Sequence, residues 1–214
     1  LVSGEFVLTT HQAGFNLYLG NNLDNPDPYY RPVPFASSSP STQGIQFTIE
    51  ASRRVGHSLS SAEASSYWIH EVVQMALTHP AAFLWKLGEK TLALLNRFEA
   101  GDHYNIDFMS RFATFFQLPL PELALIFPLG LAGMATAGLA SRQALGATVA
   151  SIAYAATLIL FFTNDRYRLP LLTILIPFAV VGLANLRACI RQGGVKSLAI
   201  YAGVVGLFVI VEYL

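Results

Sequence analysis

Two apolar runs, Ala144 to Phe162 and Leu169 to Leu186, are joined by the stretch Thr163-Asn164-Asp165-Arg166-Tyr167-Arg168-Leu169-Pro170. Each run approaches the roughly 20 residues that a helix needs to cross a bilayer. A turn between two such helices holds Arg166 and Arg168 at headgroup height. A guanidinium there can fork two hydrogen bonds onto a phosphate, and lipid-linked phosphates are the phosphates at that depth. The same residues also serve simply as anchors reaching to headgroups. Both readings follow from the turn alone.

Two further runs, Leu123 to Ala140 and Leu198 to the chain end, bring the expected spans to four. Gly130, Gly133 and Gly138 in the first let neighbouring helices approach closely. Pro128 and Pro177 lie within apolar runs, where membrane helices tolerate them as kinks. Charged residues make up 12% of the chain, well under the roughly 25% of soluble domains. Residues 1–116 carry seven basic and ten acidic side chains, and residues 117–214 six and three. The expected organisation is therefore an extramembrane lobe over 1–116 and a transmembrane bundle over 117–214. Arg142, Arg187, Arg191 and Lys196 fall in two loops that the positive-inside rule assigns to the cytoplasm, which places the Arg166 turn and the lobe on the outer face.

Neither half is basic enough for nucleic acid. Cys189 is the only cysteine, which excludes a disulfide framework and a cysteine zinc site. The histidines His11, His57, His70, His79 and His103 lack the spacing of a zinc helix, so no metal site is expected.

In the lobe, Glu5 to Thr9 and Phe15 to Leu19 alternate like two short strands of a hairpin. Gly20 through Thr42 has loop composition, rich in Asn, Pro and Ser. Ser60-Ser61-Ala62-Glu63 fits a capping box, which makes Glu63 a cap rather than an acid. His79-Pro80 closes that helix and opens another. The second helix, Ala81 to Asn96, packs Phe83, Leu84, Leu87, Leu94 and Leu95 around Lys86, Glu89 and Lys90. It is too charged to span and apolar enough to lie along a membrane surface. The fold class is thus mainly α and polytopic, with about four transmembrane helices plus a lobe of short strands, loop and amphipathic helices.

The run His11-Gln12-Ala13-Gly14-Phe15-Asn16-Leu17-Tyr18-Leu19-Gly20-Asn21-Asn22 resembles the glycine, aromatic, Gly-Asn-Asn loop of bacterial membrane glycosyltransferases related to the protein O-mannosyltransferase and aminoarabinose transferase families. Later pieces follow in that family's order: Leu59-Ser60 leading to Glu63 and Tyr67-Trp68, then His79-Pro80 and Lys90, Asn96 and Glu99, and Arg166-Tyr167-Arg168-Leu169-Pro170. The resemblance implies a GT-C enzyme of the bacterial inner membrane. It would take a sugar from a polyprenyl-phosphate donor at the periplasmic face, among membrane lipids. It also implies a catalytic Asp in an N-terminal loop outside this chain. The chain opens Leu1-Val2-Ser3-Gly4-Glu5 and stops within an apolar run at Glu212-Tyr213-Leu214, so it is expected to be the C-terminal part of a longer protein, inactive alone.

The chemistry so implied needs cations for the departing lipid phosphate and polar groups for the sugar. Arg166 and Arg168 are the phosphate candidates, with Lys86, Lys90 and Arg31 weaker ones. Asn16, Tyr18, Asn21 and Asn22 are candidates for sugar hydroxyls, their alternative being turn formation around Gly20. Glu99 and Asp102, beside Asn96 and His103, form the densest polar cluster, open to substrate or to a divalent cation; no cofactor is certain. A flippase for lipid-linked sugars would share the anion site, but such a protein typically places ionisable residues inside its spans, whose interiors here carry only Glu212. A non-catalytic membrane subunit with a partner-binding lobe is the third reading.

Overall fold

The computed structural model describes residues 12–96, 111–112, 123–192 and 195–213. These residues are mainly helical, without a strand. The helices are α1 (Ala13–Asn21), α2 (Pro40–Val55), α3 (Ser61–Thr78), α4 (Pro80–Leu95), α5 (Leu123–Ala137), α6 (Arg142–Leu160), α7 (Asp165–Gln192) and α8 (Val195–Tyr213). They fall into two compact units, Leu1–Lys90 with Ile159–Phe162, and Thr91–Leu158 with Thr163–Leu214.

The first unit is an aromatic-cored lobe. Phe15, Tyr18 and Leu19 bury one face of α1, at the i, i+3, i+4 spacing of a helix. That packing corrects the expected strand Phe15 to Leu19, whose alternation satisfies both periods. The other expected strand, Glu5 to Thr9, lies outside the described residues. Helix α1 lies close on α3: a Cβ on Gly14 would sit 2.0 Å from the Ser65 carbonyl oxygen, and Gly14 N donates to Ser65 Oγ at 3.0 Å.

Helix α2 takes Pro40 to Thr42 out of the expected loop. Pro40 fits its first turn, where no amide is missed, and Gly56 ends it at φ 84°, the left-handed conformation glycine takes without strain. Phe47 and Ala51, one turn apart, are its buried residues. Trp68 of α3 stands at the centre of the core. It donates Nε1–H to Phe47 O at 3.1 Å, stacks on Phe35 with centroids 5.6 Å apart and meets Tyr18 at 4.5 Å. The Ser60–Glu63 capping box is present: Ser60 Oγ accepts from Glu63 N at 3.3 Å, and Glu63 Oε2 accepts from Ser60 N at 2.8 Å. Thr78 ends α3 and Pro80 begins α4.

In the second unit α6 and α7 are long and apolar enough to cross a membrane. Their mean hydropathies are 1.6 and 2.2, and only 11% and 28% of those windows are buried. Most of their apolar surface is therefore open in this structure. The described apolar parts of α5 and α8, Leu125–Ala137 and Leu198–Phe208, are shorter, so among the described residues two of the four expected spans are long and apolar enough to cross. Helix α7 begins at Asp165, and Arg166 and Arg168 therefore stand in a helix rather than in the expected turn. Helices α5 and α7 pack backbone to backbone. A Cβ on Gly133 would lie 1.9 Å from Phe178 O, and one on Gly182 2.4 Å from Leu129 O, the close approach small residues permit. Tyr201 of α8 donates to Gly182 O at 2.6 Å.

Candidate functional site

The loop between α1 and α2 is held by its own side chains. Asn22 Oδ1 accepts from Asp24 N at 3.0 Å, and Asn25 Oδ1 accepts from Asp27 N at 2.9 Å; both are Asx turns, in which the side chain stands in for a backbone carbonyl. Asn25 Nδ2 donates to Tyr29 O at 2.9 Å. The Lys86 ammonium donates from α4 to the Asn25 and Asp27 carbonyls, and Arg31 pairs with Asp27. A segment of loop composition thereby becomes a fixed wall.

That wall borders an open pocket of about 420 Å³ within the lobe, lined by Tyr18, Asn22, Asp24, Arg31, Phe35 and Arg54 and by Pro26, Pro32 and Pro34. Arg54 stands over the rings of Phe35 and Trp68, at 5.5 and 5.1 Å from their centroids. It donates Nε–H to Glu50 Oε1 at 2.8 Å, and its Nη1 lies 3.8 Å from Glu71 Oε2. The hydrogen bonds from Arg53 and Arg54 hold the Glu50 carboxyl down at about 2. Burial raises the pKa of the Tyr18 phenol, against the opposing pull of Arg54, and keeps it a neutral hydroxyl donor.

Both guanidiniums in the wall are thus already paired with carboxylates. The pocket presents a balanced set of donors and acceptors beside ring and proline faces. Such a surface matches a polyhydroxylated ring better than a bare phosphate, which would demand uncompensated cations. Among the described residues, no three His, Cys, Asp or Glu side chains come together to hold a metal.

Of the sugar candidates, Tyr18 and Asn22 line this pocket. Asn16 is half-buried on α1 and does not. Asn21 is fully buried: its Nδ2 donates to Leu17 O at 2.8 Å and Leu160 O at 2.6 Å, so it braces the fold. Glu99 and Asp102 lie outside the described residues.

The phosphate candidates are dispersed. Lys86 and Lys90, phosphate candidates in the sequence, are instead 4% and 0% exposed and spent on internal carbonyls. Lys90 Nζ reaches Asn21 Oδ1 at 2.8 Å, Gly20 O at 3.1 Å, Phe161 O at 3.2 Å and Leu160 O at 3.4 Å. Those carbonyls end α1 and α6, where the helix dipole favours a cation. Burial, and secondarily the Lys86 charge, lowers the Lys90 pKa to about 7. Arg168 is likewise internal, 1% exposed, and donates to Ala93 O and, at 2.9 Å, to Asn96 O, the carbonyl end of α4. Arg166 is exposed and lies over Tyr167, with its Nη2 2.9 Å from the phenol oxygen. The two arginines do not form one clamp, because residues two apart on a helix point to different sides.

Arg54, Asp24 and Phe35 were missed in the sequence. The proline and aromatic content of 26–35 was the available signal for a wall; nothing local marks Arg54, whose partners come from α2 and α3. No family model, no curated protein and no solved structure matches the chain.

Proposed function

We propose that the chain is the C-terminal part of an integral-membrane glycosyltransferase of the bacterial inner membrane, which transfers a sugar from a polyprenyl-phosphate donor at the outer face. The lobe pocket holds carbohydrate. The observation that carries this reading is the gathering of Tyr18, Asn22, Asp24, Arg31 and Arg54 around one cavity walled by rings and prolines, on a chain with two helices apolar enough to span a bilayer. The motif order described above supports the donor class. In the reaction, an acceptor oxygen bonds to the anomeric carbon while the carbon–oxygen bond to the phosphate breaks and polyprenyl phosphate departs. The base that takes the acceptor proton belongs to the loop outside this chain. Tyr18 and Asn22 donate to sugar hydroxyls in the lobe pocket, and Arg166, exposed at the start of α7, is a separate candidate for a lipid phosphate.

The test is binding of a short-chain polyprenyl-phosphate sugar to the solubilised protein, compared with polyprenyl phosphate alone. A Tyr18→Phe, Asp24→Asn double variant that stays folded should lose at least about tenfold in affinity for the glycosylated ligand, equivalent to about 1.4 kcal/mol, and none for the bare lipid phosphate. Equal affinity of parent and variant for the glycosylated ligand sinks the carbohydrate assignment of the pocket.

A further inference from the structure

On a helix that faces water, ammonium groups point outward and hydrocarbon inward. Helix α4 is built the other way round. Lys86 and Lys90, one turn apart, are turned inward and end on backbone carbonyls. The opposite face carries Ala81, Leu84, Trp85 and Gly88, of which Leu84 and Trp85 are 66% and 73% exposed. The carboxylate beside them, Glu89, accepts the indole N–H of Trp85 at 2.9 Å. Just before the His79-Pro80 corner, Leu77 of α3 is 70% exposed. In a bilayer this inversion is the expected one, because ionisable side chains turn to the protein interior and tryptophan collects at the lipid–water boundary.

The depth of α4 has its own marker. Lys90 is hydrogen-bonded to Leu160 O and Phe161 O, which close α6, a helix long and apolar enough to cross a membrane. Whatever Lys90 holds by those carbonyls lies where α6 leaves the hydrocarbon. A second copy of the chain or a soluble partner would also cover Leu84 and Trp85, but neither would account for that depth.

We propose that α4 lies in the interface of the bilayer that α6 crosses, with Leu84 and Trp85 among the upper acyl carbons and Leu77 beside the headgroups. This placement rests on the reading of α6 as a spanning helix and is independent of the carbohydrate pocket.

Trp68 and Trp85 are the chain's two tryptophans, and Trp68 is buried, so the emission difference between the parent and Trp85→Phe isolates the face in question. The full chain is reconstituted in phosphatidylcholine vesicles, with and without lipid brominated high on its acyl chains, and in parallel exposed to iodide from the aqueous side. No sugar donor is present, so failure of the transferase reading leaves the result untouched. The expected result is that bromolipid removes most of the Trp85 emission and iodide little of it. Quenching by iodide without quenching by bromolipid overturns the proposal. Protection from both quenchers overturns it too, and assigns the face to a protein partner or a second copy. Should Trp85→Phe fail to fold, Leu84→Cys carrying an environment-sensitive fluorophore reads the same face with the same two quenchers.

Discussion

Lys90 Nζ donates to Asn21 Oδ1 at 2.8 Å, and Asn21 Nδ2 donates in turn to Leu160 O at 2.6 Å. The ammonium and the amide together satisfy the carbonyls at the ends of α1 and α6 with no carboxylate among the hydrogen-bond partners described for Lys90. Replacing Lys90 by Met keeps the volume and strands those acceptors. Each unsatisfied buried acceptor costs about 1–3 kcal/mol, so Lys90→Met should lower the unfolding midpoint measurably in detergent, where Lys86→Met, on two loop carbonyls, lowers it less.

The same amine gives a pH dependence of definite sign. Its pKa falls from 10.5 in the unfolded chain to about 7 in the folded one, so between those values the unfolded state binds the extra proton. Stability therefore rises with pH across that window, by up to about 1.4 kcal/mol per unit. It is lowest below pH 7, where the buried group is charged. Unfolding midpoints measured from pH 6 to pH 10 should show this slope in the parent and a weaker one in Lys90→Met; identical slopes would refute it.

Glu50 titrates at the other end. Its carboxyl is held at about 2 against an ordinary 4.5 by Arg53 and Arg54, so its contribution is present above 4.5 and disappears as pH falls through 2. Glu50→Gln should flatten that acid limb. Because Arg54 also lies over Trp68, the substitution should shift tryptophan emission at neutral pH, a change that an unrelated surface charge would not produce.

Gly133 leaves room for one atom less than alanine needs, with Phe178 O 1.9 Å from its would-be Cβ. Gly133→Ala should separate α5 from α7 and cost about 1–3 kcal/mol, read as a lowered thermal midpoint. Gly203→Ala, where nothing lies within 4 Å of the added atom, is the matched control and should leave the midpoint unchanged or raise it slightly, since alanine favours a helix interior over glycine.

Signals carried by adjacent residues were legible. The capping box at Ser60 and Glu63 and the break at His79-Pro80 appear where the sequence puts them, because both depend on a few backbone groups nearby. Phe15 to Leu19 was misread because five residues with apolar side chains at 15, 17, 18 and 19 fit either period, and packing against Trp68, distant in sequence, decides which face is buried. Lys86 and Lys90 read in the sequence as phosphate candidates on an amphipathic surface helix, because ammonium groups usually stay accessible. What turns them inward is a set of carbonyls from Gly20 to Phe161, distant in sequence. The pocket has the same character: Tyr18 and Asn22 stood out in the sequence, whereas Arg54 acquires its role from Phe35, Trp68 and Glu71.

One ammonium grips the closing carbonyls of α1 and of α6, and α1 is also the helix that carries Tyr18 into the pocket wall. The two helix ends therefore share a single pivot. Loss of that one amine frees both helix ends at once, one of them belonging to the helix that bears Tyr18.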